Sequence, residues 1–483
     1  MSLKRQTFSA VRWIAVAMIA KAGLQFFQLA ILARLLVPAD FGLMAVVVAL
    51  TAFLQIFADF GVSSAIIHHQ EISRVQLSSL YWLNVGSSIA LAVLIVLVSP
   101  WVSAYYVQPE LQPLLALSAI TLVMGAAGQQ LRVVAEKNLR FDLLAKVEVA
   151  GALTGFLFAV GIAFAGGGVY ALVGGAMANA AMLTMLLWLY ISNGWRPMIV
   201  FRIREIRHFL NFGAYMIGNN LLNTFSYQVD VLLGAKILGA QSIGTYSFTK
   251  EFSIGVSRLF NPIITRVGTP VMAKAQGDDA LMKKVYLQTM RMTASVNFPI
   301  YIAMGVFAPE VVNLVFGHKW SDAIPLLQVF SAWGLLCSIG NPVGSLLIAR
   351  GRADLSFKWN LALFFVVPPV VWLGSLWGAS GLALSSLGLM IVLYVPNWYF
   401  LVRPLCGAGF WEYSRQLLSP LFASVIAATL AFAAAWWFSS DVVRLCVGAL
   451  VGGLIYVGLS SRINREWFVP MQALLRREPD VTH

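Results

Sequence analysis

Polar residues recur at helical spacing inside four apolar stretches of this 483-residue chain, and they are the groups that could do chemistry in it. Lys21, Gln25 and Gln28 stand at i, i+4 and i+7, so one helical face carries all three. Thr51, Gln55 and Asp59 follow at i, i+4 and i+8. Asn219, Asn223, Ser226 and Asp230 repeat the pattern at i, i+4, i+7 and i+11. Lys250, Ser257, Asn261 and Thr265 make a fourth stripe, with Glu251 and Arg258 beside it. A polar group in hydrocarbon is costly, so each stripe is expected to face a cavity or a partner helix. Amides, hydroxyls and isolated charges on such faces can bind ligands and exchange ions; nothing in them points to bond making. Two readings stand for each stripe: substrate-cavity lining, or hydrogen-bond glue between helices. Two pairs are open in the same way between ligand site and ion pair. Asp230 and Lys250 are expected at similar depth on adjacent antiparallel helices, and Glu251 lies about two turns from Arg258. Lys21 has no carboxylate near it in sequence, which favours a functional role.

The elements that must hold these stripes are membrane helices. The chain is 59% hydrophobic and 11% charged, with a mean hydropathy of +0.80, more apolar surface than a soluble core needs. Apolar runs long enough to cross a bilayer core of roughly 30 Å recur from end to end. Fourteen spans are expected, near 11–37, 41–65, 78–105, 111–133, 146–166, 168–192, 209–236, 242–265, 287–308, 323–349, 356–377, 379–402, 415–438 and 441–461. The polar start Met1–Gln6 leads into an apolar stretch too long for a cleaved signal, so the first helix is expected to be retained. Most of the 33 basic residues fall on one side if both termini are cytoplasmic. That bias accounts for the net charge of +13 without nucleic acid as a partner. Arg34 and Lys236 fall at outer helix ends, where a cation complements the helix dipole. Arg202–Arg207 is expected to form a short amphipathic surface helix.

A ten-residue pattern occurs twice, 202 positions apart: Ala33-Arg34-Leu35-Leu36-Val37-Pro38-Ala39-Asp40-Phe41-Gly42 and Ala235-Lys236-Ile237-Leu238-Gly239-Ala240-Gln241-Ser242-Ile243-Gly244. With polar stripes at similar places around both copies, the pattern indicates a parallel repeat of six helices per unit. The expected fold is therefore an all-α polytopic membrane protein. Its parts are an N-lobe (1–200), a C-lobe (201–405), and two further helices with a cytoplasmic tail (406–483). The stripes concentrate on the first two helices of each repeat, which would enclose a hydrated chamber between lobes. Pro262, Pro299, Pro342, Pro368-Pro369 and Pro396 interrupt spans as kinks or hinges.

Several chemistries lack a signature. No Gly-rich loop has the phosphate-cradling form, His68-His69 has no metal-ligand company, and outer acids are few and scattered. Cys337, Cys406 and Cys446 stand alone in apolar stretches and read as small core residues. Nothing marks an enzyme, a cofactor or a metal site.

At these residues the chain resembles a known family. The string Ala33–Gly42, followed by Asp59-Phe60-Gly61-Val62-Ser63-Ser64-Ala65-Ile66-Ile67, is similar to the polysaccharide-transport (Wzx-type) branch of the MOP flippase superfamily. Asp230-Val231-Leu232-Leu233-Gly234 and Gly244-Thr245-Tyr246-Ser247 resemble its second-lobe signature. The likeness covers the whole chain and leans toward exopolysaccharide exporters of the colanic-acid and xanthan kind. It implies a V-shaped fold with a central cavity, in the bacterial inner membrane. It implies a substrate of oligosaccharide linked by pyrophosphate to undecaprenol, flipped from inner to outer leaflet, with membrane lipids, a polysaccharide polymerase and a co-polymerase as partners. Related flippases place basic residues in the cavity, and the matching position on span one is Lys21. Gln28 stands near where a second would be expected; Lys250 and Arg258 could supply the missing charge. The alternative is a cation-coupled multidrug antiporter of the MATE branch, with Asp59, Asp230 and Glu251 as acids exchanging a proton or sodium ion.

Overall fold

A backbone in hydrocarbon has no water to bond, so it satisfies its own N–H and C=O groups within helices. The computed structural model follows that rule. Its described residues, 3–59, 66, 72–192 and 194–464, form helices and turns and no strand. Most of the string after Asp59, the pair His68-His69 and the tail after Asn464 lie outside them. Thirteen long helices are named in chain order: α1 Leu3–Leu35, α2 Pro38–Asp59, α3 Arg74–Tyr106, α4 Leu111–Lys137, α5 Phe141–Phe164, α6 Tyr170–Tyr190, α7 Ile203–Lys274, α8 Asp279–Val306, α9 Ala323–Ala349, α10 Ala353–Ser375, α11 Gly378–Asn397, α12 Phe410–Ala435 and α13 Asp441–Ile463.

Ten helical segments among the described residues are long and apolar enough to cross a membrane. An eleventh is α8 taken with Ala308–Phe316, bent by 81°. The striped helices α1 and α7 are also long enough, with 33 and 72 residues. α7 breaks at Gly239 (φ 77°, ψ 173°), a conformation that a side chain resists, so it holds both spans expected at 209–236 and 242–265. Counted this way, the set is consistent with fourteen spans. Exposure is inverted in the manner of a lipid-facing surface: Leu97, Leu157 and Leu454 are 62%, 58% and 74% exposed. The chain is a multi-pass membrane protein. α8 begins eight residues before its expected edge at 287 because Asp278 Oδ1 accepts from Ala280 N and Leu281 N, at 2.9 and 3.0 Å. Where a short surface helix is expected over Arg202–Arg207, the long helix α7 begins at Ile203, and Arg202 just before it pairs with Glu205 at 3.0 Å. The helices run through Pro262, Pro299 and Pro342.

The chain divides into two compact units. The first comprises Met1–Ser247 and Asn360–Pro368. There α5 and α6 meet backbone to backbone: a Cβ on Gly155 would lie 2.8 Å from Gly175 O, and one on Gly175 2.9 Å from Gly155 O. Close approach of this kind lets dispersion hold helices together in lipid. Thr184 Oγ1 and Trp188 Nε1 donate to Met124 O and Ala127 O at 2.8 and 3.0 Å, tying α6 to α4. Gln130 Nε2 donates to Leu77 O at 2.7 Å, tying α4 to α3. α1 lies against α5 through Leu32, Leu36, Ala159 and Ala163. The middle of α10 joins this unit, where Asn360 Nδ2 donates to Asn219 Oδ1 at 2.9 Å and the Phe364 ring lies 4.5 Å from that of Phe225.

The two copies of the ten-residue pattern touch each other inside this unit. A Cβ on Gly42 would lie 2.0 Å from Ala240 O, and one on Gly244 would lie 1.8 Å from Pro38 O. Asp40 Oδ2 accepts from Val37 N at 3.0 Å and fixes the start of α2 at the crossing.

The second unit comprises Phe248–Trp359 and Pro369–His483. Met282, Tyr286, Met290, Phe298, Leu346 and Val402 are among its fully buried core residues. Arg350 pins three chain segments, donating to Leu405 O at 2.8 Å and Gln276 O at 2.9 Å, and pairing with Asp279. Glu310, 2% exposed, pairs with Arg444 at 2.8 Å, and the rings of Phe432 and Trp436 lie 5.7 and 5.9 Å from that guanidinium. Cys337, Cys406 and Cys446 are free thiols, half-buried, buried and exposed respectively.

Candidate functional site

Lys21 has a carboxylate partner that sequence proximity does not reveal. Its Nζ lies 2.8 Å from Oε2 of Glu148, 127 residues away on α5. The other oxygen of the same carboxylate, Oε1, lies 2.8 Å from Arg132 Nη2 on α4. Arg132 Nε also donates to Glu136 Oε1, one turn further along α4, at 3.2 Å. Two cations and two carboxylates from three helices thus form one chain of charge-assisted hydrogen bonds. The side chains of Lys21, Arg132 and Glu148 are 34%, 39% and 18% exposed, so the cluster is reachable.

Its depth follows from helix rise. Glu148 lies seven residues inside the start of α5, and Arg132 five residues before the end of α4. At 1.5 Å per residue they lie about 10 Å and about 8 Å from those helix ends. Lys21 lies fourteen residues before Leu35, about 21 Å from the outer end of α1, which leaves about 9 Å of a 30 Å hydrocarbon core beneath it. Three helices agree: the cluster sits toward one end of the bundle, about a third of the way along its apolar length.

The rest of the first-unit stripe is placed as follows. Gln25 and Gln55 are exposed, and Gln28 and Asp59 half-buried. Asn219 is held by Asn360, and Asn223 is exposed. Asp230 is buried at 5% exposure, accepting from Tyr246 Oη at 2.7 Å and from Val231 N at 2.8 Å. Lys236 lies 4.6 Å from the centroid of the Tyr105 ring and donates to Tyr105 O, so this outer cation is anchored to the end of α3.

In the second unit, Lys250 is 5% exposed and lies 5.9 Å from the centroid of the Trp333 ring. Arg258 pairs with Glu251 at 2.6 Å across two helical turns, with both side chains about half exposed. Asn261 Oδ1 accepts from Asn297 Nδ2 at 2.9 Å, and Ser257 shares a short hydrogen bond with Tyr301 Oη. Glu251 and Arg258, left open by sequence between ligand site and ion pair, form an ion pair.

Glu148, Arg132 and Glu136 are the residues that sequence reading passed over. Arg132 looked like one more basic residue at an inner helix end, and Glu148 sat at the edge of span five. The signal available was an acid inside a span; its partners come from other helices, and periodicity along one helix cannot show them.

The family described as "Polysaccharide biosynthesis protein" matches residues 31–325, more than half the chain. The chain is 32% identical over 434 residues to the lipopolysaccharide biosynthesis protein WzxC of Escherichia coli (strain K12), covering 90% of this chain and 88% of that one. Among solved structures it resembles the lipid II flippase MurJ in an inward closed conformation, with a TM-score of 0.75, 14% identity, and 93% and 98% of the two chains covered. It also resembles an inward-facing multidrug resistance MATE family transporter, with a TM-score of 0.62, 13% identity, and 80% and 98% covered. The structural likenesses speak for the fold. The family match and the identity to WzxC establish kinship, and the chain belongs to the polysaccharide biosynthesis protein family.

Proposed function

We propose that this protein is a flippase, not an enzyme. It moves undecaprenyl-pyrophosphate-linked oligosaccharide repeat units from the cytoplasmic to the periplasmic leaflet of the bacterial inner membrane, by alternating access, for exopolysaccharide or lipopolysaccharide synthesis. Both termini are cytoplasmic, and a polymerase and co-polymerase take up the product. The observation that carries this reading is the relationship to WzxC, a lipopolysaccharide biosynthesis protein, over nine-tenths of the chain. The polar stripes support it. Lys21, Gln25, Gln28, Gln55, Asn219, Asn223, Lys250, Arg258 and Asn261 would meet the substrate, and Asp59, Asp230 and Glu251 would exchange a coupling proton or sodium ion. The lobe boundary near 200 inferred from the repeat belongs to the same proposal.

The test is a deletion strain. Lipid-linked repeat units should accumulate in it, surface polymer should fall, and this chain should restore both. A deletion that leaves lipid-linked intermediates at wild-type level sinks the reading. The buried Asp230 favours a second reading, a MATE-type antiporter, since a sequestered acid suits cation exchange. That reading instead expects loss of drug resistance with polymer export intact.

A further inference from the structure

The carboxylate of Glu148 holds two cations from two other helices, one on each oxygen, both at 2.8 Å. Lys21 and Arg132 are therefore spaced by the width of one oxyanion group. A phosphate presents oxygens at similar separation and carries charge for both cations, and a guanidinium with an ammonium is a suitable donor set for it. Resting on the flippase reading above, we propose that Lys21 and Arg132 form the cytoplasmic-side seat for the diphosphate of the lipid-linked substrate, and that Glu148 is a built-in counter-anion which the diphosphate displaces.

Three observations support exchange over a purely structural bridge. The first is exposure. The Glu310–Arg444 pair shows what a structural ion pair looks like in this molecule, with its acid 2% exposed and aromatic rings beside its cation. In the Glu148 cluster both cations are more than a third exposed and the acid 18%. The second is charge. Glu136 stays on Arg132 Nε at 3.2 Å, so swinging Glu148 away leaves a local excess of one positive charge, not two. A permanently empty two-cation seat would strand charge in a medium of low dielectric, and an internal carboxylate removes that cost until a ligand takes over. The third is depth. A lipid diphosphate starts at the headgroup level, and the cluster lies about 10 Å inward, one step along the path. The second basic residue sought on α1 is thus supplied by α4.

The experiment uses the full-length protein in lipid nanodiscs and measures binding of undecaprenyl diphosphate, with undecaprenyl monophosphate and inorganic pyrophosphate as comparison probes. Glu148→Gln removes the competitor and should tighten diphosphate binding about tenfold, worth about 1.4 kcal/mol. Arg132→Gln and Lys21→Gln should each weaken it about tenfold. The monophosphate should show a smaller change in all three variants. Competition by inorganic pyrophosphate tells a seat for the bare headgroup from one that also needs the lipid. Glu310→Gln serves as the control and should lower thermal stability without moving affinity. Should Glu148→Gln fail to fold, Arg132→Lys, which keeps the charge and loses the fork, is expected to bind several-fold more weakly; unchanged affinity there overturns the proposal. Wild-type binding that none of the three seat substitutions changes overturns the seat and leaves the flippase reading standing. Wild-type protein that binds no lipid diphosphate overturns both.

Discussion

The first unit holds its helices together in two opposite ways at its two ends. At the outer end, α2 and α7 cross with Gly42 against Ala240 O and Gly244 against Pro38 O, leaving no room for a methyl group on either. At the inner third, α1, α4 and α5 meet through long side chains around Glu148. The outer contact is made by shape. It involves backbone atoms, has one geometry, and cannot trade partners. The inner contact is made by charge on flexible arms, and an anion of the right width could take the place of Glu148. A transporter needs both kinds, a fixed crossing that defines a state and a site whose partners can change. The repeat explains why the fixed crossing is reciprocal: glycine is the tenth residue of both copies, and each copy's glycine abuts the backbone of the other.

The largest effect should come from filling the outer crossing. Gly42→Ala or Gly244→Ala puts a methyl within 2.0 Å of a carbonyl oxygen, so the helices must separate, and overpacking of this kind costs about 3 kcal/mol. Thermal unfolding in detergent should fall by several degrees for each, with export lost. Gly125→Ala, on α4 with nothing within 4 Å of the added methyl, should be neutral or slightly stabilising. Equal behaviour of all three variants would mean that the crossing is not a fixed contact.

Next comes a buried ion pair of the second unit, which separates structure from exchange. Arg444→Met leaves Glu310 unpaired at 2% exposure, a loss of about 3 kcal/mol. Lys21→Ala, in a cluster a third exposed, should cost about 1 kcal/mol of stability and yet abolish or sharply cut export. Unfolding curves and polymer yield, read together on the two variants, test that inversion. A Lys21→Ala protein that exports normally removes Lys21 from the site.

The two ends also differ in how far they could be read from sequence. The helices follow from apolar run length, and Lys21 was reached because its own helix repeats polar residues at i, i+4 and i+7. Glu148 was not, because its partners lie 127 and 16 residues away on other helices, and nothing in the spacing of α5 points toward α1. The glycine crossing was half legible. Gly42 and Gly244 stood out as matched positions of a repeat, but a contact between a Cα and a carbonyl oxygen leaves no side-chain pattern to read. Repeat symmetry gave the register of the two copies; only the packed backbone shows that they meet. Helix edges moved where a local cap intervened, as Asp278 does for α8.

A smaller effect tests whether Asp230 belongs with the fixed or the exchangeable contacts. It is buried and accepts from Tyr246 Oη at 2.7 Å, close to the outer crossing in sequence on both sides. Tyr246→Phe and Asp230→Asn should each cost about 1–2 kcal/mol, and the double variant should cost less than their sum, because one hydrogen bond is lost in all three. Strict additivity in unfolding experiments would show that the two residues act separately. Export that depends on the sodium or proton gradient in wild type and not in Asp230→Asn would move this acid to the coupling site.

The smallest effect is expected at Glu251 and Arg258, and it marks the far end of the comparison. The pair spans two turns of one helix, with side chains 45% and 58% exposed, so solvent and salt screen it. Glu251→Gln should change stability by about 0.5 kcal/mol or less. A neutral stability change combined with lost export would then isolate a functional charge, since no structural loss is available to explain it. A neutral change with full export places the pair among solvated surface contacts.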